Sequence, residues 1–413
     1  DVLMNIVVTG ITNVIFTILA MFVVDRWGRK ALTLIGSFGL AVIYTFMGAA
    51  YYFHITGVVL LIIVGGESRE NLVFKEVINI TLSYADEKRL GEFISACHID
   101  VLINQRPYEY GNIEFIHRAL AATACKIVTV FHSNPGWETF QLRKRIPFAT
   151  WKQKLKHLFF PLYYGYVKAR TVRTNRKACE YSDAYVLLSE GYIPPFMRKY
   201  GISPIWQNKL HAIPNALRYK EILSPDKLSG KQKEVLIVAR LDEHSKRLSL
   251  ALRIWHEVEN RGYGDWKLTI VGHGPDEMYY RTLADELQLK NISFEGRQEP
   301  LEYYRRASIF MMTSAYEGWG ITLLEAQQMG VVPVVFDSYV ALHDIVGNGV
   351  NGIIVENGNL DKYVEQLTAL MKDDTLRHFL AENALKSCQR FAGHKIINQW
   401  VNLFNDLKCK RSN

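Results

Sequence analysis

The sequence predicts an α/β protein with two doubly wound parallel units behind an apolar N-terminal hairpin. Three observations carry that expectation. From about residue 85 onward, short apolar runs alternate with helix-like segments, which is the rhythm of a parallel sheet covered on both faces. Residues 314–335 read S-A-Y-E-G-W-G-I-T-L-L-E-A-Q-Q-M-G-V-V-P-V-V, with two glutamates eight positions apart around a Gly-rich helix start. Near Gly66 the composition changes sharply from almost uncharged to that of an ordinary soluble chain.

At 413 residues the chain is long enough for two or three domains with buried cores. Residues 2–24 carry no charge, and neither do residues 31–66 apart from His54. Each run exceeds the roughly 20 apolar residues that cross a bilayer, so residues 1–66 are expected to form a transmembrane helical hairpin. Its loop, Asp25-Arg26-Trp27-Gly28-Arg29-Lys30, has three cations and belongs on the cytoplasmic side.

Residues 67–212 are expected to form the first α/β unit. Helices are read at 90–97 and 116–124, and strands at 99–103, 126–131 and 184–189. Between the last two strands lies a basic, aromatic insertion at 143–177, with eleven Lys or Arg and no Asp or Glu. It suits an anionic membrane surface or an anionic acceptor, or else it is a solvated helical face. Nucleic acid is not expected, since no recognition motif accompanies it.

Residues 213–386 repeat the pattern more clearly. Strands are expected at 234–239, 267–271, 292–294, 309–312 and 331–336, with helices around 248–259 and 275–287. Residues 387–413 hold a last helix, near 396–407, expected to cross back to the first unit.

Ligands of such sheets bind at the carboxyl ends of the strands, and the singled-out residues fall there. Arg240 and Lys246 follow the strand at 235–239. Fixed cations there suit a diphosphate, both for binding and for holding charge on a leaving group; a solvated charged loop is the alternative. Gly318 and Gly320 let backbone come close to a phosphate at a helix start, where N–H groups are free. Glu325 is placed to accept hydrogen bonds from a ribose, and Glu317 to orient sugar hydroxyls. His132, after the strand at 126–131, is expected to face the cleft between the units, or to be a structural histidine. Taken together, these groups suit a sugar joined to a nucleotide through a diphosphate.

Two other motifs lead nowhere. Val271-Gly-His-Gly274 begins like a dinucleotide fingerprint, but the third glycine and the later acid are missing; it reads as a turn. No D-x-D occurs, so the carboxylate pair of a metal-bound diphosphate is absent. The five cysteines (97, 125, 179, 388 and 409) contain no C-x-x-C, which disfavours a disulfide framework or zinc site and fits a reducing cytosol.

Two families are resembled. N-V-I-F-T from Asn13, then V-D-R-W-G-R-K and L-I-G-S from Leu34, resembles helices eight and nine of sugar porters of the major facilitator superfamily. From about residue 85 on, the Arg240–Lys246 pair, E-x7-E at Glu317 and Glu325, His132 and Ile213-Pro-Asn215 resemble retaining glycosyltransferases of the GT-B fold, the family 4 or group 1 type. That resemblance implies two Rossmann-like domains, an acceptor site in the first and a nucleotide-sugar donor site in the second. It also implies front-face transfer with retained anomeric configuration, catalytic roles for His132 and Glu317, and donor binding by Arg240, Lys246, Gly318, Gly320 and Glu325. No metal and no cofactor are implied. The acceptor would be a glycan or lipid-linked saccharide. The enzyme would sit at the cytoplasmic membrane, its catalytic part in the cytoplasm, held by residues 1–66 and the 143–177 stretch.

The family's first domain opens with a strand and a Gly-rich loop. Here the porter-like segment stands in that place, so the first unit is expected to be incomplete. The alternative is a non-catalytic fusion of a transporter remnant with a donor-binding domain.

Overall fold

The computed structural model describes residues 84–143 and 151–409. The hairpin expected at 1–66 lies outside them. Among the described residues no helix is long and apolar enough to cross a membrane. The chain divides into two compact units, Asp1–Cys125 and Lys126–Asn413.

In the first unit, helices α1 (Tyr84–Ala96) and α2 (Asn112–Ala119) flank strand β1 (Val101–Asn104). Leu90 and Ile94 of α1, and Ile113, Phe115 and Ile116 of α2, are almost wholly buried. Full burial of each such side chain contributes about 1.5–3 kcal/mol.

The second unit begins with β2 (Lys126–Phe131), α3 (Trp137–Leu142), α4 (Trp151–Tyr181), β3 (Ala184–Leu187), α5 (Ile193–Tyr200) and β4 (Leu210–Ala212). β3 pairs in parallel with β2 (Val128 opposite Ala184) and with β4 (Tyr185 opposite Leu210). The basic stretch is therefore mostly helix: α4 is 31 residues long and contains Pro161.

A second sheet follows: β5 (Gln232–Val238), α6 (Glu243–Lys246), α7 (Leu248–Asn260), β6 (Lys267–Val271), α8 (Glu277–Glu286) and β7 (Ile292–Gly296). The chain continues through α9 (Leu301–Arg306), β8 (Ala307–Met312), α10 (Ile321–Gln328), β9 (Val332–Asp337), α11 (Leu342–Ile345) and β10 (Ile353–Glu356). Helices α12 (Leu360–Lys372), α13 (Asp374–Cys388) and α14 (Gly393–Cys409) end the described chain.

The six strands lie in the order β10-β9-β8-β5-β6-β7, and every pair is parallel. The chain starts in the middle at β5, runs outward to β7, returns to β8 beside β5 and runs outward the other way. β8 is buried at all six positions, as a central strand covered on both faces should be.

Lys231, just before β5, is pulled inside and donates to the carbonyl of Tyr304 at 2.7 Å. Burial lowers its pKa to about 7, against the attraction of Glu234. Folding thus favours the neutral amine, while the unfolded lysine holds its proton to near 10.5. Below pH 7 both states are protonated and the full cost of burying the charge is present; it fades as pH climbs from 7 to 10.5. Resistance to urea is expected to rise over that window, and Lys231→Met is expected to flatten the rise. Equal slopes in parent and variant would contradict this origin.

Candidate functional site

The order of the second sheet reverses between β5 and β8. In open α/β sheets the ligand crevice lies outside the carboxyl ends of the strands at such a point. The loops there are 239–247, after β5, and 313–320, after β8. They are laced together. The Thr313 hydroxyl is within reach of the carbonyls of Lys246 (3.0 Å) and Arg247 (3.1 Å), and the N–H of Ala315 donates to Ser245 at 2.8 Å. Arg247 is left-handed, with φ 49°, a conformation costing a residue with a Cβ about 1–2 kcal/mol. Its guanidinium offsets this by donating to the carbonyls of Thr313 and Ser314, both at 2.9 Å, and to Asn357 at 2.7 Å.

Across this seam the predicted cation and carboxylate meet. Lys246 Nζ lies 2.5 Å from Glu317 Oε1, which also accepts from the Ser314 hydroxyl at 2.7 Å. The side chains of Lys246 and Glu317 are 22% and 13% exposed, so the pair is well screened from water but still reachable. The Tyr192 hydroxyl donates to the Glu317 carbonyl at 3.3 Å. Arg240, on the same loop as Lys246, is exposed, and its guanidinium has no hydrogen bond or ion pair among the described residues. Val271-Gly-His-Gly274 is the end of β6 and an irregular segment after it, the turn falling at Pro275-Asp276: the carbonyls of Val271 and His273 accept from Ala239 and Leu241, at 3.1 and 3.0 Å, and steady the Arg240 loop.

The two glycines have different uses. Gly320 is left-handed, with φ 86°, and is the N-cap of α10, with no side-chain cap. The N–H groups at that helix start are a fixed positive feature. Gly318 is needed for close packing: a Cβ there would stand 2.8 Å from the carbonyl oxygen of His132 and 3.3 Å from Cα of Ser133. The space that its missing side chain leaves is thus taken by protein. This brings the His132 loop against the Glu317 loop. His132 itself stays open to solvent, yet desolvation by the surrounding walls lowers its pKa. That favours the neutral ring, which is suited to hydrogen bonding with a hydroxyl.

Glu325 is 2% exposed. Oε2 accepts from the Tyr304 hydroxyl at 2.9 Å, and Oε1 from Arg218 at 3.2 Å. Burial outweighs these bonds and raises its pKa. Each carboxylate oxygen has a second lone pair, so the group can still accept a hydroxyl from a ligand. The half-exposed Arg218 is the partner able to move aside.

Three aromatic groups tie the halves of this unit together. Phe140 of α3 stacks on His244 at 4.3 Å and on Tyr316 at 4.5 Å. His244 Nε2 donates to the Phe140 carbonyl at 2.8 Å, and Tyr316 donates to the carbonyl of Asn134. The sequence reading missed Ser314, Arg247, Arg218, Tyr192 and this stack; only the neighbouring Tyr316-Glu317 and Lys246-Arg247 pairs hinted at two of them. Among the described residues, no group of three or more His, Cys, Asp or Glu is placed to hold a metal ion.

The loops, glycines and helix start fall in a segment with relatives. Residues 220–387 match the family model for glycosyl transferases group 1. Residues 1–65 match the model for sugar (and other) transporters. An uncharacterized glycosyltransferase of Haemophilus influenzae is 28% identical over 60% of this chain and 69% of its own. The amylovoran biosynthesis glycosyltransferase AmsD of Erwinia amylovora is 28% identical over 44% of this chain and half of its own length. Anabaena HepE, solved in complex with UDP, superposes with a TM-score of 0.59 at 15% identity, over 77% of this chain and 82% of that one. That likeness establishes the fold, which is GT-B-like α/β.

Proposed function

We propose that this chain is a retaining glycosyltransferase moving a sugar from a nucleoside diphosphate to a glycan or lipid-linked acceptor. The observation that carries it is the Lys246–Glu317 pair, 2.5 Å apart, at the reversal point of the second sheet. The uncapped start of α10 follows it directly, and the His132 loop packs against it. The match of residues 220–387 to group 1 glycosyl transferases supports the same reading.

In the proposed site the diphosphate lies at the start of α10, with Lys246 and Arg240 balancing its charge. No metal is invoked for that balance, and transfer is expected to persist in excess chelator. Glu325 takes the ribose hydroxyls. Glu317 orients the sugar, and neutral His132 contacts it from the opposite loop. The bond from the anomeric carbon to the diphosphate breaks. The acceptor oxygen bonds to that carbon on the same face, and its proton passes to the departing phosphate oxygen. Charge on the leaving group grows as the bond breaks, so fixed cations stabilise the transition state more than the ground state.

The two glutamates separate this proposal from mere nucleotide binding. Glu325→Gln is expected to weaken free nucleoside diphosphate and intact donor alike, since both contain ribose. Glu317→Gln is expected to spare free nucleotide and weaken only the intact donor. Calorimetric titration of both variants with UDP, GDP and ADP and their sugars checks this. Equal losses on free nucleotide would sink the division of roles.

A further inference from the structure

A cavity of about 470 Å³ opens beside Tyr316, one residue from Glu317. Its walls come from the 136–143 segment, from α4 and from α5. Four cations line it: Arg143 after α3, Lys168 on α4, and Arg198 and Lys199 on α5. The carboxylate in the lining is Glu138, whose Oε2 accepts from Tyr200 at 2.9 Å and whose other oxygen is buried without a partner.

Among the described residues, none of the four cations forms an ion pair with a carboxylate in direct contact. Arg143 bonds the Tyr164 hydroxyl at 3.2 Å, and Lys199 donates to the carbonyl of Pro135 at 3.3 Å. Lys168 and Arg198 have no hydrogen bond or ion pair among the described residues. The local field is felt by its neighbours. The Tyr164 phenol is held below its usual pKa, first by the bond from Arg143 and also by the charge of Lys168. Lys199 is lowered, first by burial; Glu138 and Tyr164 act to raise it, and Arg143 and Lys168 add to the lowering. Like charges gathered around one cavity repel, and an anion among them relieves the repulsion. Cations from three separate elements suit a tetrahedral group with several charged oxygens better than a planar carboxylate. The volume is that of a small-molecule site.

We propose that this cavity seats the phosphate of a phosphate-bearing acceptor, with Arg143, Lys168, Arg198 and Lys199 as its anchors. The word acceptor rests on the glycosyltransferase reading above. The phosphate belongs to a water-soluble polyol phosphate or to a lipid phosphate. Tyr316 stands where the cavity meets the Glu317 loop, so a molecule held by its phosphate extends toward the proposed sugar position.

The test uses the full chain and two matched pairs: glycerol 3-phosphate with glycerol, and isoprenyl phosphate with isoprenol in neutral detergent micelles. Binding is read by saturation-transfer NMR and calorimetry, with UDP titrated in parallel. At least one phosphate is expected to bind while its uncharged partner does not, and the stronger arm names the source. Affinity is expected to fall about ten-fold in Arg198→Ala and further in the double variant Lys168→Ala/Arg198→Ala, with UDP affinity unchanged. If both phosphates bind no better than their alcohols, or bind the double variant like the parent, the proposal is overturned. A parent chain that binds phosphates here but no nucleotide overturns the donor reading instead.

Discussion

Lys246→Ala is expected to lower affinity for a nucleotide-sugar donor by about 10- to 150-fold. A charge-assisted hydrogen bond is worth about 1.5–3 kcal/mol, and this lysine sits where the proposed diphosphate needs one. The structure adds a second consequence. Lys246 and the Ser314 hydroxyl together satisfy Glu317 Oε1, so removing the lysine also leaves a poorly solvated carboxylate beside the incoming phosphates. That repulsion makes the single variant worse than the loss of one contact. Glu317→Gln in the same chain relieves it, and the double variant should therefore recover part of the nucleotide affinity. Residues in direct contact couple by about 0.5–3 kcal/mol. Titration of parent, two singles and the double with free nucleotide measures this coupling. Additive losses would mean that the pair does not act as one unit around the ligand.

Gly318→Val is expected to cut turnover by about 100-fold while leaving affinity for the free nucleoside diphosphate within a few-fold of the parent. The new Cβ would meet the His132 carbonyl oxygen at 2.8 Å and Ser133 Cα at 3.3 Å. Both neighbours are backbone, so neither can swing away as a flexible side chain would. The His132 loop and the Glu317 loop have to part. Misplacing reacting groups by about 1 Å costs on the order of 100-fold in rate. Glu325, which takes the ribose, does not depend on that contact, which is why nucleotide binding is spared. Gly318 is outside the left-handed residues, so backbone strain is not a competing cause. Steady-state rates set beside titrations with free nucleoside diphosphate check the split. Unchanged turnover would show that the two loops need not meet for catalysis.

How much of this was legible in the sequence depended on length and on distance along the chain. β6 matched its expected bounds because Leu268, Ile270 and Val271 stand between the charged Lys267 and the strand-ending Gly272. β4, three residues long, and β10, which directly follows the Gly- and Asn-rich stretch 347–352, escaped notice. α4 was read mainly as an insertion, since its cations and aromatics follow no clear apolar stripe and Pro161 interrupts it.

At the site, residue types were legible and partnerships were not. Glycines next to glutamates at a helix start flagged Glu317 and Gly320. Nothing local says that Lys246 reaches a carboxylate 71 positions away, or that Glu325 is held by an arginine 107 positions upstream. Gly318 illustrates the difference. The sequence marked it for close approach to a phosphate, and the structure places the backbone of the His132 loop there instead.

The most direct measurement is a calorimetric titration of the full chain with UDP-, GDP- and ADP-sugars, each beside its nucleoside diphosphate, its nucleoside monophosphate and its free sugar. One diphosphate sugar is expected to bind in the range of about 1 μM to 1 mM typical of enzyme substrates. Its diphosphate should bind comparably, and the monophosphate far more weakly, because the second phosphate is what meets Lys246, Arg240 and the start of α10. If no diphosphate binds better than its monophosphate, the crevice at the ends of β5 and β8 is not a nucleotide-sugar site.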